Sequence, residues 1–172
     1  MRKQNGFSLI ELLIVVAIIL IIAAIAIPNL MKSKAASNEA GGAATVRTLI
    51  TDSITYSNSY PAEGYPLNLT RLGAVAQPCV ASINGACLAD TVLACAAPPC
   101  TKGNYSYTLT GINGGAAPQT DFVAFGTPTG PSAGQKDYCA SSDGVPRGQA
   151  SPAAPPTAAI TVVSTCSALT PL

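Results

Sequence analysis

The chain has 172 residues, with nine Lys/Arg against eight Asp/Glu, so its net charge is close to zero. That balance gives no sign of a strong nucleic-acid footprint and leaves nucleic acid open as a partner, and the absence of histidine removes the commonest general base and a frequent zinc ligand. Ala, Gly, Pro, Ser and Thr are plentiful while charged residues make up only 10%, which implies a polar but weakly charged surface.

Residues 1–6 read Met-Arg-Lys-Gln-Asn-Gly, a short basic leader ending in a small residue. Phe7-Ser8-Leu9-Ile10-Glu11 follows, then an unbroken apolar run to Ile27, then Pro28. A secretory signal is cleaved after its apolar stretch and discarded. Here the plausible site, Gly6–Phe7, lies before that stretch, so a mature chain would keep it. An apolar helix of about 20 residues crosses roughly 30 Å, enough for a bilayer. Arg2 and Lys3 precede the segment, which orients the N-terminus to the cytoplasm and everything after Pro28 to the outside. Lys32 and Lys34 on the far side weaken that bias without reversing it. A plain signal anchor accounts for the hydrophobicity and the orientation, but leaves Glu11 without a task.

A carboxylate near a bilayer's centre costs on the order of 3 kcal/mol, and such residues usually mark a functional pairing. Glu11 lies only about 6 Å inside Phe7, so its own penalty is smaller and it can partly snorkel. An amine created at Phe7 by cleavage would sit at similar depth. The alternative is a polar residue tolerated near the interface.

Gly6-Phe7-Ser8-Leu9-Ile10-Glu11, with Pro28 beyond, resembles the signature of type IV prepilins, shared by type IV pilins and type II secretion pseudopilins. Leader charge, small residue, aromatic, Glu and apolar run all occur together, and the likeness covers about the first fifty residues. The resemblance implies cleavage at Gly6–Phe7 by a prepilin peptidase and N-methylation of Phe7. It also implies that Glu11 of one subunit meets the Phe7 amine of a neighbour and sets the axial register.

The helix is expected to continue past Pro28, which removes one backbone donor and kinks without ending it. Val46, Leu49, Ile50 and Ile54 recur at offsets of one amphipathic face, with Arg47, Thr48, Asp52 and Ser53 off that stripe or at its edge. Gly41-Gly42 is a soft point where bending is expected. The helix should end near Asn58–Tyr60, ahead of Pro61. A helix from Phe7 to about Ser57 would be roughly 75 Å long, whereas a compact domain of the remaining residues has a radius of gyration near 13 Å. The expected shape is a ladle, with the apolar half protruding and the amphipathic half packed on a head.

The segments are thus 1–6 leader, 7–27 hydrophobic transmembrane and filament-core helix, 28–58 amphipathic continuation, 59–103 cysteine-rich loop region, and 104–172 antiparallel sheet with a C-terminal disulfide region. Pro61–Leu72 reads as a polar loop with room for a short helix. Residues 74–102 hold four cysteines with little periodicity. Asn104–Thr110 alternates as a strand and ends at a glycine turn. Phe122–Gly126 is a second strand, and Asp137–Ala140 and Val145–Gly148 flank a Ser-Ser-Asp-Gly turn. Gly148–Thr157 is a Pro/Ala-rich loop, and Ala159–Thr165 is expected to return as a final strand. The fold class is α+β: one long N-terminal helix on a small antiparallel sheet with disulfide-braced loops.

All six cysteines (Cys79, Cys87, Cys95, Cys100, Cys139 and Cys166) lie beyond the helix, on the side predicted to be oxidising, so they read as three disulfides. Six cysteines admit fifteen pairings. The family's terminal disulfide region implies Cys139–Cys166, and Cys95–Cys100 and Cys79–Cys87 would then be local closures. No zinc is expected, since the chain has no histidine and no paired CxxC spacing.

No enzyme activity and no cofactor are expected, with no Gly-Lys-Thr/Ser phosphate loop and no histidine base. Asp137 and Asp143 flank one turn and could join carbonyls around calcium, as major pseudopilins do near this end of the head, although hydrogen-bonding turn carboxylates are the stronger reading. Asn68-Leu69-Thr70 and Asn104-Tyr105-Ser106 are formal glycosylation sequons of a kind common by chance. Ser8–Thr55 contains no aromatic residue, which argues against a stacked electron path along the helix.

The resemblance therefore implies the structural subunit of a type IV pilus. It would wait in the inner membrane as a single-pass protein. An assembly platform and ATPase would then extract it into a helical filament of its own copies at the cell surface, serving motility, adhesion or DNA uptake. A type II secretion pseudopilin is the alternative within the family. A membrane-anchored binding protein that never polymerises is the alternative of another class.

Overall fold

The computed structural model describes residues 8–75, 77–113, 116–151 and 159–172. The chain divides into two compact units, Met1–Lys34 and Ala35–Leu172. Helix α1, Leu9–Ser59, contributes its first part to the former and the remainder to the latter.

In the first unit α1 is a single stretch of apolar helix that continues through Pro28. Proline has no N–H, so the carbonyl four residues back, on Ala24, loses its helical donor. Every large apolar side chain from Leu9 to Met31 is 45–75% exposed within the chain.

In the second unit α1 buries Gly42, Ala43, Val46, Leu49, Ile50, Ser53 and Tyr56. The expected stripe is correct at Val46, Leu49 and Ile50 but not at its end. Ser53 is fully buried and Ile54 is 38% exposed. At about 100° per residue, Ser53 lies close to the line through Val46 and Ile54 about 80° from it. Geometry overrides hydrophobicity here, and a small polar side chain takes the buried position.

The sheet has six antiparallel strands bonded in chain order: β1 Cys100–Lys102, β2 Tyr105–Ile112, β3 Asp121–Pro128, β4 Lys136–Ser141, β5 Arg147–Ala150 and β6 Thr170–Pro171. β2 alternates buried and half-buried residues along its whole length, the pattern of a strand with one face on a core. Its inward residues Tyr105, Tyr107 and Leu109 join Phe122, Ala124, Tyr138 and Ala140 against the buried stripe of α1. β3 is buried on both faces. Val123 and Phe125 point the other way, into a second small core with Cys139, Cys166, Ile160, Val163 and Leu169.

Three short elements differ from expectation. β1 lies inside the segment read as loop, so the sheet begins at Cys100 rather than 104. Its register, Lys102 opposite Tyr105, is set by a two-residue Gly103-Asn104 turn with Gly103 at φ 62°, a conformation that favours glycine. The Ala159–Thr165 stretch does not form the final strand. Its β-branched residues favour extension, but Val163–Ser167 forms the short helix α2, because Cys166 is tied to Cys139 and draws the segment across the second face of the sheet. The strand that pairs with β5 is Thr170–Pro171, through Gly148 opposite Thr170.

The cysteine-rich region is held by two disulfides, Cys79–Cys87 and Cys95–Cys100, and a third, Cys139–Cys166, joins β4 to α2. A 3₁₀ turn at Leu69–Leu72 is capped by Asn68, whose side chain accepts from the Arg71 amide at 3.3 Å. Arg71 in turn bonds Glu63 at 2.7 Å and the Tyr56 hydroxyl at 3.3 Å. The Tyr56 hydroxyl donates to the Ile83 carbonyl at 2.6 Å, so the loops are anchored to the end of α1.

Gly42 packs tightly against the Tyr105 ring of β2. A Cβ there would stand 2.9 Å from Cε1 of the Tyr105 ring, whereas one at Gly41 meets nothing within 4 Å. Tyr105 is only 1% exposed and its hydroxyl donates to the Lys136 carbonyl at 2.9 Å, so the ring has little freedom to give way. Gly42→Ala should therefore destabilise the protein by about 1 kcal/mol, overpacking outweighing better helix propensity. Gly41→Ala should stabilise it by about 0.5–1 kcal/mol. Denaturant midpoints of the two variants moving in the same direction would refute this account.

Candidate assembly interface

Glu11 is placed by the way α1 begins. Ser8 precedes the first helical residue, and the Ser8 amide donates to Oε2 of Glu11 at 3.0 Å, while the Ser8 carbonyl accepts from Leu12 at 3.3 Å. This is one half of a capping box, in which an acidic residue at the third helical position satisfies an otherwise unpaired amide. The carboxylate also sits in the first turn, at the positive end of the helix dipole. The signal for this role is the Ser8-x-x-Glu11 spacing, which a reading centred on charge pairing overlooks. Gly6 and Phe7, the residues of the expected cleavage and methylation, lie outside the described residues.

Beyond Glu11, α1 presents only aliphatic and small side chains up to Asn29, and an 18-residue window of the helix has a mean hydropathy of 3.3. Such a surface can bury itself in lipid or against other helices of like character. With no directional groups it offers dispersion and area but little register. Glu11 is the one acidic side chain on it, and Lys32 and Lys34 follow at its far end.

The remaining charged groups are mostly engaged in the second unit. Asp137 is fully buried, accepting from Thr127 Oγ1 at 2.8 Å and Gln149 Nε2 at 3.4 Å. Asp143 pairs with Arg147 at 2.6 Å and accepts from the Ser141 hydroxyl and the Val145 amide. That arrangement holds its carboxyl below the usual range, the Arg147 bond being the main cause. Asp143 thus serves the turn, whereas Asp137 ties β4 to β3 and β5 inside the sheet, and among the described residues no group of three His, Cys, Asp or Glu could hold a metal ion. Gly130-Pro131-Ser132-Ala133-Gly134 has the spacing of a nucleophile elbow. It forms a turn between β3 and β4 rather than a strand–helix elbow, and the chain has no histidine to activate Ser132.

Asp52 is the exception, and sequence reasoning missed it because only tertiary packing reveals it. Its Oδ2 is buried without a hydrogen-bond partner, and burial pushes its carboxyl up from 3.8 to about 6, with Lys102 opposing and Asp90 adding to the shift. Lys102 is itself bonded to Asp90. A carboxyl raised in the folded state binds its proton more tightly there, so the penalty is full above pH 6 and fades as pH falls toward 3.8. Asp52→Asn should stabilise the protein at pH 7 by about 1 kcal/mol, after allowance for the solvent that reaches this half-buried group. The gain should vanish near pH 4. An equal gain at both pH values in denaturant titrations would show that charge is not the cause.

A family model described as the prokaryotic N-terminal methylation motif matches residues 1–27. The chain is 42% identical over 60 residues to the type IV wide pilus major component PilA4 of Thermus thermophilus, covering 35% of this chain and 43% of that protein. It is 51% identical over 49 residues to the type IV major pilin protein PilA of Myxococcus xanthus, covering 28% of this chain and 22% of that one. The matched part thus spans less than half the length of these relatives. No solved structure matches the chain. The methylation motif and the two pilin relatives support a type IV prepilin family for this chain, whose remaining residues form an α+β pilin-like fold.

Proposed function

We propose that the chain is the structural subunit of a type IV pilus, held in the inner membrane with its N-terminus cytoplasmic and later assembled with its own copies into a surface filament. The observation that carries this reading is the exposed apolar surface of α1 from Leu9 to Met31, preceded by a methylation motif. An apolar surface of that extent needs lipid or other subunits. In this reading a prepilin peptidase cuts Gly6–Phe7, the Phe7 amine is methylated, and an assembly ATPase with its platform drives the helix out of lipid into a bundle. Head-to-tail contacts whose rotation does not close into a ring generate an open helical polymer. Pro28 gives the helix a point of adjustment between its two environments. The names of both relatives favour a pilus over a secretion pseudopilus.

Intact-mass and N-terminal analysis of protein sheared from the cell surface tests the proposal. A chain beginning at methylated Phe7 and pelleting as fibres is expected. A chain beginning at Met1 and confined to the membrane fraction would overturn it in favour of an uncleaved anchor.

A further inference from the structure

Two cations stand on the side of the anchor where the positive-inside rule disfavours them. Lys32 and Lys34 follow the apolar segment directly, both are exposed, and neither forms an ion pair among the described residues. The next acidic residue along the helix, Glu39, is engaged within its own unit. Its Oε1 accepts from the Gln135 amide at 2.8 Å and its Oε2 lies 3.8 Å from Lys136 Nζ.

Spacing supplies the second observation. From Glu11 to Lys32 the helix rises roughly 30 Å, which is the thickness of a bilayer's hydrocarbon core. The residues between carry no charge, so when Glu11 reaches one boundary Lys32 reaches the other. Lys34 is two residues further on, about 200° around the axis, and so faces away from Lys32. One acidic patch on a neighbouring protein cannot engage both lysines at once. A layer of phosphate headgroups surrounds the helix and engages each side equally.

We infer that Lys32 and Lys34 form a collar for the anionic headgroups of the outer leaflet and fix the depth at which the subunit waits before assembly. This rests on the membrane-anchored state proposed above. Each lysine near an anionic surface adds an attraction that falls away within a Debye length. The collar therefore also resists extraction until the helix is drawn clear of the headgroups.

The test offers the full chain in detergent to equal amounts of phosphatidylcholine vesicles and of vesicles with about one-third phosphatidylglycerol, then separates them by flotation. Relative to a Lys32→Gln/Lys34→Gln chain, the wild type should favour the anionic vesicles by on the order of tenfold. The leader cations are common to both chains and cancel. A Lys32→Arg/Lys34→Arg chain should keep the preference, and high salt should abolish it. Equal partition ratios for wild type and the glutamine variant, with both resisting alkaline carbonate extraction, would overturn the collar alone. Removal of both chains by carbonate would overturn the membrane anchor and the collar together.

Discussion

A Glu11→Gln chain is expected to enter the membrane as the wild type does and to yield filaments at about one-hundredth of the wild-type amount. In the proposed filament the Glu11 carboxylate faces the N-terminal amine of a neighbour inside an apolar bundle. Removing one partner of a buried pair leaves the other charge uncompensated, at a cost of about 3–5 kcal/mol, more than a hundredfold in an association constant. Glutamine is the informative replacement because of the cap. It can still accept from the Ser8 amide, which Glu11 now does at 3.0 Å, since Gln serves at this position of a capping box as Glu does. Loss of assembly in Glu11→Gln therefore isolates the charge, while Glu11→Leu removes charge and cap together. The measurement is sheared-filament yield divided by the membrane-inserted pool. A near-normal ratio for Glu11→Gln would reduce Glu11 to a helix cap.

The second large effect concerns the C-terminal bridge. Replacing Cys139 and Cys166 together by alanine should lower stability by about 3.5 kcal/mol, the chain-entropy value for a loop of this length, and lower the Tm of the full chain in detergent by about 10 °C. The bridge spans 27 residues of sequence, against 8 for Cys79–Cys87 and 5 for Cys95–Cys100. The shorter closures should each contribute only about 2–2.5 kcal/mol. Both sulfurs of the long bridge belong to fully buried residues in the second core, so a single replacement would also leave a thiol there without its partner. Thermal unfolding followed by circular dichroism checks the ranking. A larger loss from the Cys95–Cys100 pair than from Cys139–Cys166 would show that packing, not loop closure, sets the order.

Much of the architecture is legible in the residues because it rests on long, strongly patterned segments. The apolar run and the Val46–Leu49–Ile50 spacing announce one helix, and Pro61 limits its end, which falls at Ser59. The alternation from Tyr105 and the Phe122–Gly126 run mark strands. What escapes is short and fixed from a distance. β1 has three residues and exists because a Gly-Asn turn folds it onto β2. α2 takes a β-branched sequence and makes it helical, because Cys166 has to reach Cys139. The strain at Asp52 depends on which loop covers the helix. Its neighbours Lys102 and Asp90 are far from it in sequence, and periodicity carries no trace of them. Glu11 is legible as an anomaly of charge, and its bond to Ser8 could have been read from spacing alone.

A sheet whose strands are bonded in chain order has a weak direction under load. Pulled from its last strand it can peel one strand at a time, each step opposed only by that strand's own ladder. The ladders at this edge are short, with two residues in β6 and four in β5. The covalent link from β4 to α2 leaves β6 outside it but carries tension arriving at the C-terminal tail past β5, to the middle of the sheet. In the proposed filament, drawn across a surface, the outermost stretch of chain would otherwise unravel first. Once β6 has come away, the bridge makes the rest of the head yield as a unit, at a force set by the central strands and α1 rather than by β5.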